Sequence, residues 1–189
     1  MSKSVPDASK KERNKTIRWV TTVFFVTIFV SGVISMASDV LMANSSMPVA
    51  FFILLLIVFI GIVFDVVGVA VTSASEKPFH SMAARKVKGA YEAIRLLRNA
   101  ERVSSICNDV VGDICGVVSG AASATIAAQV MSAFTFEWPQ IVSLLMSALV
   151  AGLTVGGKAI GKTFAIHSCV SIVHFAGRVI CFFTHKKEK

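Results

Sequence analysis

No Cys-x-x-Cys pair, no Ser-His-Asp array and no His-Glu-x-x-His motif occurs in this chain of 189 residues. The four cysteines, Cys107, Cys115, Cys169 and Cys181, therefore indicate neither a zinc site nor a disulfide framework. They read as small apolar residues in or near helices. Without a nucleophile array or a metalloprotease motif, an intramembrane enzyme has little support and the chain reads as a non-enzyme. Charge is scarce in an equally informative way. Trp19 to Ala37 contains none, and the 38–48 and 135–138 loops contain no Lys or Arg. A hydrophobic content of 54% and a mean hydropathy of +0.73 exclude a soluble domain, because several apolar runs reach the ~20 residues of a bilayer-spanning helix. The net charge of +8 does not point to nucleic acid, since the basic residues collect in loops and tails.

What is present describes an all-α polytopic membrane protein with four transmembrane helices and two amphipathic juxtamembrane helices. Residues 1–18 form a basic tail, and residues 19–37 a first membrane helix with Trp19 at the interface. Ser35-Met36-Ala37 resembles a signal cleavage site, but the apolar run exceeds the ~7–15 residues of a signal core, which favours a retained anchor. Val49 to Ser75 forms the second segment. It is too long for a ~30 Å hydrocarbon core and must tilt, break or leave the membrane, with Gly68 and Thr72-Ser73 as candidate breaks. In the charged connector 76–105, Val87, Ala90, Tyr91, Ile94 and Leu97 recur at helical spacing, as in a helix lying on a membrane surface.

The third segment, about Ile106 to Phe134, repeats Gly112, Gly116, Gly120, Ala124 and Ala128 every fourth residue. Such a small-xxx-small seam lets another helix approach closely. Asp109 and Asp113 fall beside it, so both are expected to face protein. After a loop with Glu137 and Trp138, the fourth segment carries a matching seam at Ala148, Gly152 and Gly156. The 163–189 tail places His167, Ser171, His174, Arg178 and His185 on one polar stripe. That stripe fits a second interfacial helix better than a fifth span, and a wetted face better than a metal site. The 19 basic residues divide six, seven and six among 1–18, 76–105 and Lys158 onward. The positive-inside rule then puts both termini and the connector in the cytoplasm of a multi-pass cell-membrane protein.

Lys158 and Lys162 lie one helical turn apart at the end of the fourth segment. A charge in hydrocarbon costs about 3 kcal/mol or more, so each ammonium needs a carboxylate, a carbonyl or a route to water. By helical rise, Asp65, Asp113 and Lys158 all fall in the cytoplasmic half, with Asn108 and Asp109 just below Asp113. A polar layer between small-residue helices is where a transporter would hold an ion.

Phe64 to Ala165 resembles the transmembrane domain of the cyclin M (CNNM)/CorC family of magnesium transporters. Leu96-Leu97-Arg98-Asn99-Ala100-Glu101-Arg102 is similar to the family's Leu-Leu-x-Asn-Pro-Glu-Arg connector, and Asn108 falls in its next, Asn-containing helix start. Gly157-Lys158-Ala159-Ile160-Gly161-Lys162-Thr163 is similar to Gly-Glu-Ile-Ile-Pro-Lys-Thr. The family's earlier Phe-Ser-x-Ser-Glu-Thr-Ala-Leu-Thr-Ser is matched only at Phe64, Ala70, Thr72 and Ser73. The resemblance implies a three-helix core over 49–162, followed by a juxtamembrane helix, and a homodimer formed through this domain. It also implies a dehydrated Mg²⁺ held from the cytoplasmic side by a serine, an asparagine, a backbone carbonyl and a glutamate. Of those ligands only Asn108 carries over directly. Lys158 stands at the glutamate's place, Gly161 at the proline's, Gly68 at the earlier glutamate's and Asp65 at a serine's. The family's cytosolic domains have no counterpart, and the N-terminal helix is additional.

An ammonium beside Mg²⁺ repels it strongly in a low dielectric. Two expectations follow. Either Lys158 turns to the cytoplasm and Asp65, Asn108, Asp109 and Asp113 bind a divalent cation, or Lys158 and Asp65 form an internal salt bridge in a non-transporting scaffold or regulatory subunit. The helix-packing residues are expected to be Gly112, Gly116, Gly120, Gly152 and Gly156. The expected partners are membrane lipids, a second copy of the chain and, on the scaffold reading, a further membrane subunit.

Overall fold

The computed structural model describes residues 5–43, 45–133 and 139–185. The expectations made for Glu137, Trp138 and the terminal lysines lie outside them. Every regular element among the described residues is a helix: α1 (Val5–Ala43), α2 (Met47–Ser73), α3 (Lys77–Ala84), α4 (Ala90–Arg98), α5 (Ala100–Ser105), a π segment (Ile106–Gly112), α6 (Asp113–Ala133), α7 (Pro139–His167) and α8 (Cys169–His185). Four stretches are long and apolar enough to cross a membrane: Thr16–Met42, Met47–Ser73, Ala100–Ala133 and Gln140–His167. The third of these runs through α5, the π segment and α6. Large apolar side chains such as Phe29 (73% exposed) and Ile160 (75%) face outward, as a hydrocarbon surround allows.

Helix α2 is the hub, packing against α5, the π segment, α6, α7 and α8. It begins with Pro in its first turn, where the missing N–H is no loss. It runs unbroken through Gly68 and ends at Ser73, at the Thr72-Ser73 pair and short of the expected Ser75; the Thr72 hydroxyl donates back to the Val69 carbonyl (2.9 Å) in its last turn. One core joins Met42, Ala50, Leu54, Val58, Ala122, Ile126 and Val150 near the α1–α2 turn. A second joins the other end of α2 to α3, α4, α7 and α8 through Val71, Phe79, Ile94, Leu97, Ala165 and Val173. Buried hydroxyls on α6 are satisfied locally, with Ser119 donating to Gly116 O (3.0 Å) and Ser123 to Gly120 O (2.8 Å). In a dry interior this back-bonding avoids an orphan donor.

The 76–105 connector is three helices, not the single one expected. Lys86 (φ 56°) and Gly89 (φ 86°) turn the chain between α3 and α4. The buried face of α4 is Ala90, Ala93, Ile94 and Leu97, while Tyr91 is 68% exposed. The face is rotated from the expected one because α8 packs on α4. A Cβ on Gly89 would meet the Arg178 backbone N and Cα at 2.7 and 2.8 Å, one on Gly177 would meet the Ala93 N at 2.9 Å, and His174 Nε2 donates to the Lys88 carbonyl (3.2 Å). His174 therefore faces the connector. Gly89→Ala meets both a left-handed backbone, which costs about 1–2 kcal/mol for a residue with Cβ, and this contact. It is expected to lower the melting temperature in detergent, whereas Gly32→Ala, with open space around it, is expected to leave it unchanged.

Candidate functional site

Along α2 the buried positions Ala50, Leu54, Val58, Gly61, Asp65 and Gly68 advance by three or four residues and so form one inward stripe. Asp65 belongs to that stripe and is only 4% exposed. The glycines on either side of it bring the third span close. A Cβ on Gly61 would lie 2.8 Å from Cys115 Cβ, and one on Gly68 would overlap the Asn108 carboxamide. A carboxylate is thus held where α2, the π segment and α7 meet.

Asn108 sits within the π segment, Ile106–Gly112. The wider π turn displaces side chains from their α-helical phase, and such turns are common at functional sites. Asn108 Nδ2 donates to Ser104 Oγ (3.2 Å), while its Oδ1 presses on Gly68. That Oδ1 and Asp65 Oδ2 are both buried and accept no hydrogen bond, although a buried acceptor without a donor is costly.

Two ammoniums from α7 approach the carboxylate. Lys162 Nζ is 3.9 Å from Asp65 Oδ2, with the lysine side chain 54% exposed. Lys158 is half-buried, and its Nζ lies against Gly112. The position a Cβ would take there is 3.3 Å from Lys158 Nζ and 3.9 Å from Asp65 Oδ1. The expected Lys158–Asp65 salt bridge is therefore replaced by a Lys162–Asp65 pair, with Lys158 alongside. Lys158 takes the space that Gly112 leaves open, and Lys162 takes the contact with Asp65 Oδ2.

The expected metal set is not gathered. Asp109 and Asp113 are exposed on the outer side of the third span. Among the described residues no three His, Cys, Asp or Glu side chains converge to hold a metal ion. The helix-packing glycines divide in the same way. Gly112 meets Lys158, but Gly116, Gly120, Gly152 and Gly156 have nothing within 4 Å of a would-be Cβ. The seam actually used by α7 is Gly157 and Gly161, which dock on Ile62 and Val66 of α2. It has the same small-xxx-small spacing, one residue out of register with the expected Gly152–Gly156 pair. On α6 the buried face is Ile114, Val118, Ser119, Ala122, Ser123, Ile126 and Ala127. Small residues cover α6 on every side, so their spacing could not select this face. Sequence reasoning named Lys162 without pairing it with Asp65, and Gly68 and Gly161 without a packing role; it passed over Gly61 and the Gly157-x-x-x-Gly161 spacing, which was the available signal.

Chemically, the site is one buried carboxylate and one carboxamide oxygen beside two ammoniums. It holds the Lys162 ammonium as a tethered cation. No protein-family model, curated protein or solved structure matches this chain.

Proposed function

We propose that the chain is a multi-pass cell-membrane protein of divalent-cation homeostasis, built like the transmembrane domain of CNNM/CorC magnesium transporters. In its resting state, lysines of α7 stand where the cation would be bound. The observation that carries this reading is the pair of buried, unbonded acceptors, Asp65 Oδ2 and Asn108 Oδ1, beside the Lys162 ammonium at 3.9 Å. Carboxylate and carbonyl oxygens are what Mg²⁺ takes in place of its waters. Gly68, at a position where the resembled family has a glutamate, lets Asn108 pack directly on α2. The exposure of Lys162 gives its ammonium a path to water, so a cation entering from that end can displace it. With the positive-inside orientation, that end is cytoplasmic, and α4 and α8 lie along the inner membrane surface as amphipathic helices. A second copy of the chain fits the open outer faces of Gly116, Gly120, Gly152 and Gly156.

A second reading, a non-transporting scaffold or regulatory subunit, has its own observation. Asp109 and Asp113 point away, leaving a single carboxylate against two lysines. Reconstitution in liposomes with a magnesium-sensitive dye separates the two. Wild-type influx that Asp65→Ala abolishes is expected on the first reading, while no influx, together with destabilisation by Asp65→Ala or Lys158→Ala and rescue by the double change, is expected on the second. Light scattering of the protein in detergent is expected to give a protein mass twice the 20.2 kDa chain mass; a monomer at all detergent dilutions would remove the dimer.

A further inference from the structure

At the end of α4 the structure forms a groove of about 390 Å³, with Tyr91, Glu92, Arg95, Leu96, Asn99 and Ile180 among its walls. Glu92 and Arg95 are three residues apart and so share one face of α4. Neither belongs to an ion pair among the described residues, unlike the neighbouring Arg98, which reaches Glu76 at 4.0 Å. The Asn99 amide is already used, donating to the Arg95 carbonyl (2.9 Å). What the groove offers is therefore one free guanidinium, one free carboxylate, a phenol and an apolar wall.

Its level in the protein fits a lipid headgroup. The third apolar span begins at Ala100, immediately after Asn99. Arg102 stacks over the Trp19 ring at 5.7 Å, and Trp is a residue of the membrane interface. On α8, Ile180 is 39% exposed and Phe183, three residues on and so on the same face, is 67% exposed, an apolar surface suited to acyl chains. We infer that this groove binds the headgroup of an ethanolamine phospholipid, with Arg95 on the phosphate and Glu92 on the ammonium. A headgroup bearing only negative charge would leave Glu92 facing like charge, and a choline headgroup offers Glu92 no N–H to donate. The inference needs α4 and α8 to lie at a membrane interface but does not require any ion to move.

Native mass spectrometry of the full chain in detergent tests it, with phosphatidylethanolamine, phosphatidylglycerol and phosphatidylcholine supplied in turn. Phosphatidylethanolamine is expected to be retained over the other two. Arg95→Gln is expected to weaken its retention about fivefold, the ordinary effect of one basic residue at a lipid surface. Glu92→Gln is expected to abolish the preference over phosphatidylglycerol, and Ile180→Trp to exclude the lipid by filling the groove with both charges intact. Arg95 and Ile180 are exposed and Glu92 is half-buried, and melting in lipid-free detergent checks that each variant is folded. Equal retention of the three lipids by the wild type, or an unchanged preference in folded Glu92→Gln, would overturn the assignment. Displacement of the lipid by inorganic phosphate at equal concentration would overturn the lipid as the source of the phosphate.

Discussion

Replacing Lys158 and Lys162 together by alanine is expected to destabilise the detergent-solubilised protein more than Asp65→Ala does. The double change leaves the Asp65 carboxylate buried at 4% exposure with no counter-charge and with Oδ2 unbonded. Stranding one partner of a buried pair typically costs about 3–5 kcal/mol. The lower end applies here, because Lys162 is 54% exposed and water screens part of the interaction. Asp65→Ala leaves two ammoniums instead, but Lys162 can turn to water by extending its stem. Its cost is correspondingly smaller. Adding Asp65→Ala to the lysine double is expected to restore most of the lost stability, since no buried charge then remains. Thermal melting of the four proteins reads this coupling directly. Strict additivity of the effects would show that the carboxylate and the ammoniums do not interact.

Gly68→Ala is expected to be the more disruptive methyl addition of the two glycines that flank Asp65 on α2. Its Cβ would overlap the Asn108 carboxamide, which cannot swing freely because Nδ2 is bonded to Ser104 Oγ (3.2 Å) and the π turn fixes its backbone. Overpacking of this kind costs about 1–3 kcal/mol. The contrast is Gly161→Ala, whose Cβ would meet only the Val66 and Ile62 methyl groups at 2.7 and 3.4 Å; those can rotate aside at lower cost. Gly68→Ala should therefore depress the melting temperature by several degrees more than Gly161→Ala. The companion variant Asn108→Ala should restore a Gly68→Ala protein by vacating the space. If both glycine variants melt together, Asn108 is not wedged on α2.

The apolar runs alone determined that the chain is helical and that four of its segments are long enough to cross a membrane, because length and hydropathy are local properties. That Lys158 and Asp65 come to a common level, beside Gly112, was legible through the fixed rise of a helix. Which way each side chain points was not. The π segment at Ile106–Gly112 changes helical phase without any residue that announces it, so the outward turn of Asp109 and Asp113 could not be read from a uniform 100° step. On α6 and α7, glycine, alanine and serine are too frequent for spacing to choose among faces, and contact with Ile62 and Val66 selected Gly157 and Gly161 over Gly152 and Gly156. The lysine that pairs with Asp65 was likewise decided in three dimensions. Lys158 and Lys162 are equivalent in sequence, a turn apart on one helix, and only the position of Gly112 gives one of them the carboxylate and the other the space beside it.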